Sequence, residues 1–273
     1  MKLTVGGRSA YAYTGGKAFD PALPCVVFIH GALHDHSVWT LLARWCAHHG
    51  HGALAVDLPG HGRSAGPALD SVEAQADWLL TLLDAAGVGK PGQVALVGHS
   101  MGSLIALEAA ARAPGRIGRL VMVGAAYPMK VSAALLDTAR DAPLKAIEMV
   151  NAFSIGTIAA KPGHPGPGTW LHGSNRALMR RVLNGPNATG CAGNLFHLDF
   201  SVCDRYANGL QAAAGLQCPV TLVLGAMDQM TPPRATREIA AALKARVVTL
   251  PSGHSLMAEV PDGLQAALRD ALT

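Results

Sequence analysis

The chain has 273 residues, of which 50% are hydrophobic, 15% charged and 5% aromatic. That apolar share excludes a disordered chain, and the length suits one large α/β domain or two small ones with a sizeable core. Its 22 Lys/Arg against 18 Asp/Glu leave a net charge of +4 without any basic run, so the sequence carries no footprint for nucleic acid.

The opening residues, Met1-Lys2-Leu3-Thr4-Val5-Gly6-Gly7, lack the apolar core of a signal peptide. Two short strands are predicted at residues 3–5 and 9–14. The run Cys25-Val26-Val27-Phe28-Ile29 is apolar throughout and ends at His30-Gly31, the pattern of a strand buried on both faces. Runs of the same kind recur at 53–56, 94–97, 120–123, 220–224 and 247–250. Between them the spacing turns helical. Val72, Ala76, Leu79, Leu80 and Leu83 share one face behind an N-cap-like Ser71. Pro232-Pro233 opens a helix on which Ile239, Ala242 and Leu243 share a face. Strand–helix alternation of this kind predicts a mostly parallel sheet with helices on both faces.

Residues 124–218 break that rhythm, because the interval is far longer than one crossover requires. It contains helical stretches at 142–152 and 175–183, a Pro/Gly-rich passage at 161–168, and Phe153, Trp170, Phe196 and Phe200. The expectation is a helical lid at 127–207 inserted into a core domain made of 1–126 and 208–273. The apolar stretches at 94–107 and 149–160 are shorter than the roughly 18–20 residues of a membrane span, so no membrane association is expected. The five cysteines are odd in number and form no C-x-x-C pair. They read as reduced packing thiols of a cytoplasmic protein.

The sharpest local signal is Gly98-His99-Ser100-Met101-Gly102, set between an apolar strand and a helical segment. A serine on such a turn projects its hydroxyl above the sheet edge, and the flanking glycines let neighbouring backbone pass close by. A serine hydroxyl needs a base, and the base needs a carboxylate to orient it. Asp228 follows the 220–224 strand and His254 follows the 247–250 strand, in the chain order Ser, Asp, His. In a parallel sheet all three loops emerge at the same carboxyl edge. After Ile29-His30-Gly31, a turn is expected to aim the Ala32 N–H at the point addressed by the Met101 N–H, a donor pair for an oxyanion, with Leu33 the rival to Ala32.

Together these motifs resemble those of the α/β-hydrolase family with an inserted helical cap. Asp57-Leu58-Pro59-Gly60-His61-Gly62-Arg63-Ser64 is similar to the family's D-x-P-G-x-G-x-S loop, and residues 225–232 are similar to its acid loop. The resemblance implies an α/β fold of that type, with Ser100 as nucleophile, Asp228 as acid, His254 as base, and Ala32 and Met101 as the oxyanion hole. A serine at position 100 separates the chain from members that use an aspartate nucleophile.

The implied activity is hydrolysis of a small or medium carboxylic ester, thioester or lactone through an acyl-enzyme. The alternatives are cleavage of a C–C bond in a dienoate-type ring-fission product, or non-catalytic binding of a small molecule on the same fold. Leu33, His34, Phe153 and Trp170 are the expected substrate contacts. No cofactor is required, and the clusters His34-Asp35-His36 and His48-His49-His51 lack the spacing of a metal site. The expected partner is a small-molecule substrate, for a monomer or homodimer. Asp57 and Ser64 are expected to organise their own turn.

Overall fold

The computed structural model describes residues 1–156, 171–188 and 193–273. Eight strands form one sheet in the order β1-β2-β4-β3-β5-β6-β7-β8. They are β1 (Lys2–Val5), β2 (Arg8–Tyr13), β3 (Cys25–Ile29), β4 (Gly52–Val56), β5 (Val94–His99), β6 (Ile117–Val123), β7 (Val220–Gly225) and β8 (Arg246–Leu250). The β1–β2 hairpin and the β2–β4 pairing are antiparallel, and every pairing from β4 across to β8 is parallel.

The continuous apolar runs follow from burial on both faces of the sheet. Along β3, Cys25, Val27 and Ile29 enter one core cluster, while Val26 and Phe28 enter the other. The first cluster is closed by α2 (Val72–Ala85), α3 (Met101–Arg112), α8 (Gly209–Gly215) and α9 (Arg237–Ala242), through side chains such as Leu79, Leu83, Leu104, Ala212 and Ile239. The second is closed by α1 (Thr40–His48), α10 (Leu256–Glu259) and α11 (Pro261–Leu272), with Trp39, Leu42, Leu256, Leu264 and Leu268. Ser71 caps α2 by accepting the Ala74 N–H at 3.2 Å.

Pro232-Pro233 opens a short 3-10 turn, and α9 follows only from Arg237. β8 lies at the sheet edge, and its outer positions are exposed. The described cysteines are free, and burial pushes the thiols of Cys25 and Cys46 up to about 12, which leaves them as inert packing groups.

Between β6 and α8, among the described residues, lie α4 (Ala133–Asp141), α5 (Pro143–Ser154), α6 (Leu171–Leu183) and α7 (Leu195–Arg205). They share a third apolar cluster that includes Ala139, Ile147, Val150, Met179, Val182, Phe196 and Phe200. One member of that cluster, Leu33, comes from the loop after β3. The Pro/Gly-rich passage, Trp170 and Cys191 lie outside the described residues. Among the described residues, no helix is long and apolar enough to cross a membrane.

Candidate active site

Because β3, β5, β7 and β8 run in one direction, the loops that follow them open at one edge of the sheet. Only Ser100 separates β5 from α3, and it adopts φ +52° and ψ −120°, a conformation that L-residues rarely occupy. The turn is held firmly. The Ser100 N–H donates to Val123 O at 2.9 Å, and its carbonyl accepts the Ser103 N–H at 2.8 Å and the Ser103 hydroxyl at 2.6 Å. A Cβ on Gly98 would collide with the Gly102 carbonyl, and one on Gly102 with the Ile29 and His30 carbonyls. The spacing of glycines around the serine is therefore a packing requirement of β3 against the start of α3.

Asp228 and His254 meet from the loops after β7 and β8. The His254 Nδ1–H donates to Asp228 Oδ2 at 2.8 Å. The other carboxylate oxygen accepts the N–H groups of Met230 and Thr231, each at 2.8 Å. Burial pushes the Asp228 carboxyl up, but His254 and the Thr231 hydrogen bonds outweigh it and hold the group at about 2. Thr231 Oγ1 lies 2.7 Å from Asp228 Oδ2, 3.1 Å from His254 Nδ1 and 2.9 Å from Gly124 O, so one hydroxyl fixes both members of the pair. The His254 N–H donates to Ser154 O, at the end of α5, at 2.6 Å.

Ser100 and His254 line one cavity of about 260 Å³. Its wall is mostly apolar and includes Met129, Val131, Leu135, Met149, Val150 and Phe153. Ala32 and His34 also reach it. His34 Nε2 is 2.8 Å from Asn175 Oδ1 of α6. His99, beside the serine, donates from Nε2 to the His254 carbonyl at 2.9 Å. Burial, followed by the charges of His254 and His34, drives its pKa well below the usual histidine value, so it stays neutral. Met101 opens α3, where the first N–H groups have no partner within the helix and the dipole is positive. Among the described residues, the N–H groups of Ala32 and Met101 donate to no protein acceptor.

A family model for the alpha/beta hydrolase fold matches residues 24–261. The chain is an alpha/beta hydrolase. This hydrolase is 28% identical, over 99% of its length and 88% of the relative's, to Esterase Rv0045c of Mycobacterium tuberculosis. It is 31% identical to the pimeloyl-[acyl-carrier protein] methyl ester esterase of Chromobacterium violaceum, over 79% of this chain and 78% of the other. In fold it is similar to the enol-lactonase from Burkholderia xenovorans LB400, with a TM-score of 0.79, 21% identity, and coverage of 100% of this chain and 99% of that one.

One expected substrate contact of the hydrolase falls elsewhere. Leu33 does not reach the cavity wall: at φ +54° its side chain turns into the cluster of inserted helices, where it is fully buried. Its N–H donates to Asp199 Oδ2 at 2.8 Å rather than into the cavity, which also removes it as the rival to Ala32. Trp170 lies outside the described residues.

Asp57 is buried in its own turn, where it accepts the N–H groups of His36 at 2.7 Å and Arg63 at 2.8 Å. The Ser64 hydroxyl donates to the Asp57 carbonyl at 2.6 Å. Asp35, His36 and Asp57 lie close enough to suggest a metal site. Their carboxylate oxygens are instead taken by Ser37, Arg181, Arg63 and His36.

The sequence reading missed Thr231 and Asp199. Thr231 had a signal, three residues beyond Asp228 in the acid loop. Asp199 had none, because its partner His61 lies 138 residues away.

Proposed function

We propose that the protein hydrolyses small or medium carboxylic esters, thioesters or lactones through an acyl-enzyme on Ser100. One observation carries this reading: the Asp228–His254 pair, joined at 2.8 Å, opens onto the same small apolar cavity as a serine held in a strained strand-to-helix turn. In this mechanism His254 Nε2 takes the Ser100 hydroxyl proton as Oγ bonds to the acyl carbon. The carbonyl π electrons move onto oxygen, and the N–H groups of Ala32 and Met101 receive that oxyanion. As the tetrahedral adduct collapses, the bond to the leaving oxygen or sulfur breaks and His254 returns the proton to it. Water, deprotonated by His254, then attacks the acyl-enzyme and releases the acid, restoring the serine hydroxyl. Asp228 keeps the Nδ1 proton in place and stabilises the imidazolium at each stage.

The apolar wall suits an aliphatic or aryl acyl group, and the cavity volume favours short chains. Residues 127–207 act as the cap that closes the cavity and sets this preference, with His34 and Phe153 as substrate contacts. The relatives named as esterases support the ester class. The test is turnover of p-nitrophenyl butyrate together with labelling by a fluorophosphonate probe. Ser100→Ala is expected to abolish both, and turnover near the wild-type rate in that variant would overturn the proposal.

A further inference from the structure

α5 ends at Ser154, and the last carbonyls of a helix find no partner within it. The Ser154 carbonyl takes two donors from outside, the His254 N–H at 2.6 Å and the Ser255 N–H at 3.3 Å. The backbone of the base is thus hung on an inserted helix, the one that carries Met149, Val150 and Phe153 of the cavity wall. The approach is close enough to require glycine on both sides. A Cβ on Gly253 would collide with the Ser154 carbonyl and the Gly156 nitrogen, and one on Gly156 with the Gly253 nitrogen and the Met227 Cβ.

Two glycines in contact have no side chains to interlock, and a single carboxylate bridges them instead. Glu259, the last residue of α10, accepts the Gly253 N–H through Oε1 and the Gly156 N–H through Oε2, each at 3.0 Å. Bonds to a carboxylate are stronger than those between neutral groups. They flank the bond from His254 to Ser154, since Gly253 precedes the histidine and Gly156 lies two residues beyond the serine. Other bonds tie the same loop to the sheet edge: Met227 N–H donates to Ser252 O at 2.9 Å, and His99 Nε2–H to His254 O at 2.9 Å. Glu259 ties it to the inserted helix.

We propose that Glu259 is a positioning residue whose carboxylate clamps the exit of α5 to the loop carrying His254, and so sets the place of the imidazole relative to Ser100. Glu259 does not line the cavity. The inference rests on the serine-hydrolase reading above and adds that an inserted helix places the base as well as covering it.

The test uses the full-length protein and its variants Glu259→Ala, Glu259→Gln and Ser100→Ala, with circular dichroism as the folding control. One readout is turnover of p-nitrophenyl butyrate. The other is the low-field proton NMR signal of the His254 Nδ1–H, which reports how the ring sits against Asp228 without any turnover. Glu259→Ala is expected to lower kcat about tenfold to a hundredfold, the cost of displacing a catalytic group by about 1 Å. KM should stay within about twofold, and the Nδ1–H signal should shift or broaden. Glu259→Gln keeps the length and one accepting oxygen, so it should recover part of the loss in both readouts. A merely stabilising contact would instead reduce the folded fraction and leave kcat per folded molecule unchanged.

If Glu259→Ala fails to fold, Glu259→Gln carries the test. Its NH₂ cannot accept the second N–H, so kcat should still fall by about threefold to tenfold in a folded protein of unchanged volume. Wild-type kcat with an unaltered Nδ1–H signal in a folded variant overturns the inference, as does a loss confined to KM. An inactive Ser100→Ala beside a fully active Glu259→Ala overturns this inference alone. Turnover surviving in Ser100→Ala overturns the serine reading, while a displaced Nδ1–H signal in Glu259→Ala would still support the clamp on His254.

Discussion

The imidazoles of His30 and His61 lie 4.9 Å apart, centroid to centroid, and their pKa values are pushed in opposite directions. Burial, followed by the charge of His61, lowers the His30 pKa to about 4. His61 is equally buried, but the charge and hydrogen bond of Asp199 outweigh that burial and raise its pKa. Asp57, from the same loop as His61, favours the charged form of both rings.

These opposed shifts predict stability that falls on both sides of neutrality. His30 stays neutral in the fold but protonates near 6.5 when unfolded, so its contribution is full above that pH and is lost as pH falls towards 4. The loss amounts to about 3 kcal/mol. His61 works in the other direction: its contribution is full below 6.5 and is lost as pH rises through its elevated folded value. Urea unfolding between pH 4 and pH 9 should trace this profile. His30→Asn should flatten the acid side, and an unchanged acid slope in that variant would refute the assignment.

Asp228→Asn should fold normally yet lose about 10³–10⁴ in kcat, because the amide no longer selects the His254 tautomer with its proton on Nδ1. Steady-state kinetics on p-nitrophenyl butyrate, with circular dichroism as the folding control, would settle the point. A loss below about tenfold would remove Asp228 from its proposed role.

Thr231→Val is a milder probe of the same pair. It removes the hydroxyl 2.7 Å from Asp228 Oδ2, one of the groups that hold the carboxyl at about 2. The expected outcome is an upward shift of the Asp228 pKa, visible by NMR titration. kcat should also fall, by about tenfold or less, as the His254 ring loses one of its two anchors.

Val150 stands on the cavity wall and is 5% exposed, so enlarging it should subtract volume where an acyl chain would lie. Val150→Phe is expected to lower kcat/KM for p-nitrophenyl octanoate far more than for the acetate. Some stability should also be lost, about 1–3 kcal/mol, from overpacking α5. A uniform loss across the ester series would show that the acyl group lies elsewhere.

The parts of the site legible in the sequence are those fixed locally by the strands. Ser100, Asp228 and His254 each follow an apolar run, and strand direction alone brings them to one edge of the sheet. What escaped depends on contacts between distant elements. Leu33 looked like a pocket residue because it adjoins Ala32, but a positive φ, invisible in the composition, turns its side chain the other way. Asp199 carries no signal of its pairing, because nothing in residues 195–205 points to a histidine near position 60. α1 and α4 each have one apolar face, but with only 9 residues apiece they are too short for the period to stand out in the sequence.

Leu33 roots the β3 loop inside the insertion, with its side chain among the helices and its amide on α7. Lifting those helices as one body would therefore dismantle the pocket's electrophilic corner at the moment of admission. Entry past a side chain such as Phe153, which lines the cavity and is 49% exposed, would leave this joint closed. Many turnovers would then proceed with the Leu33 anchor in place throughout.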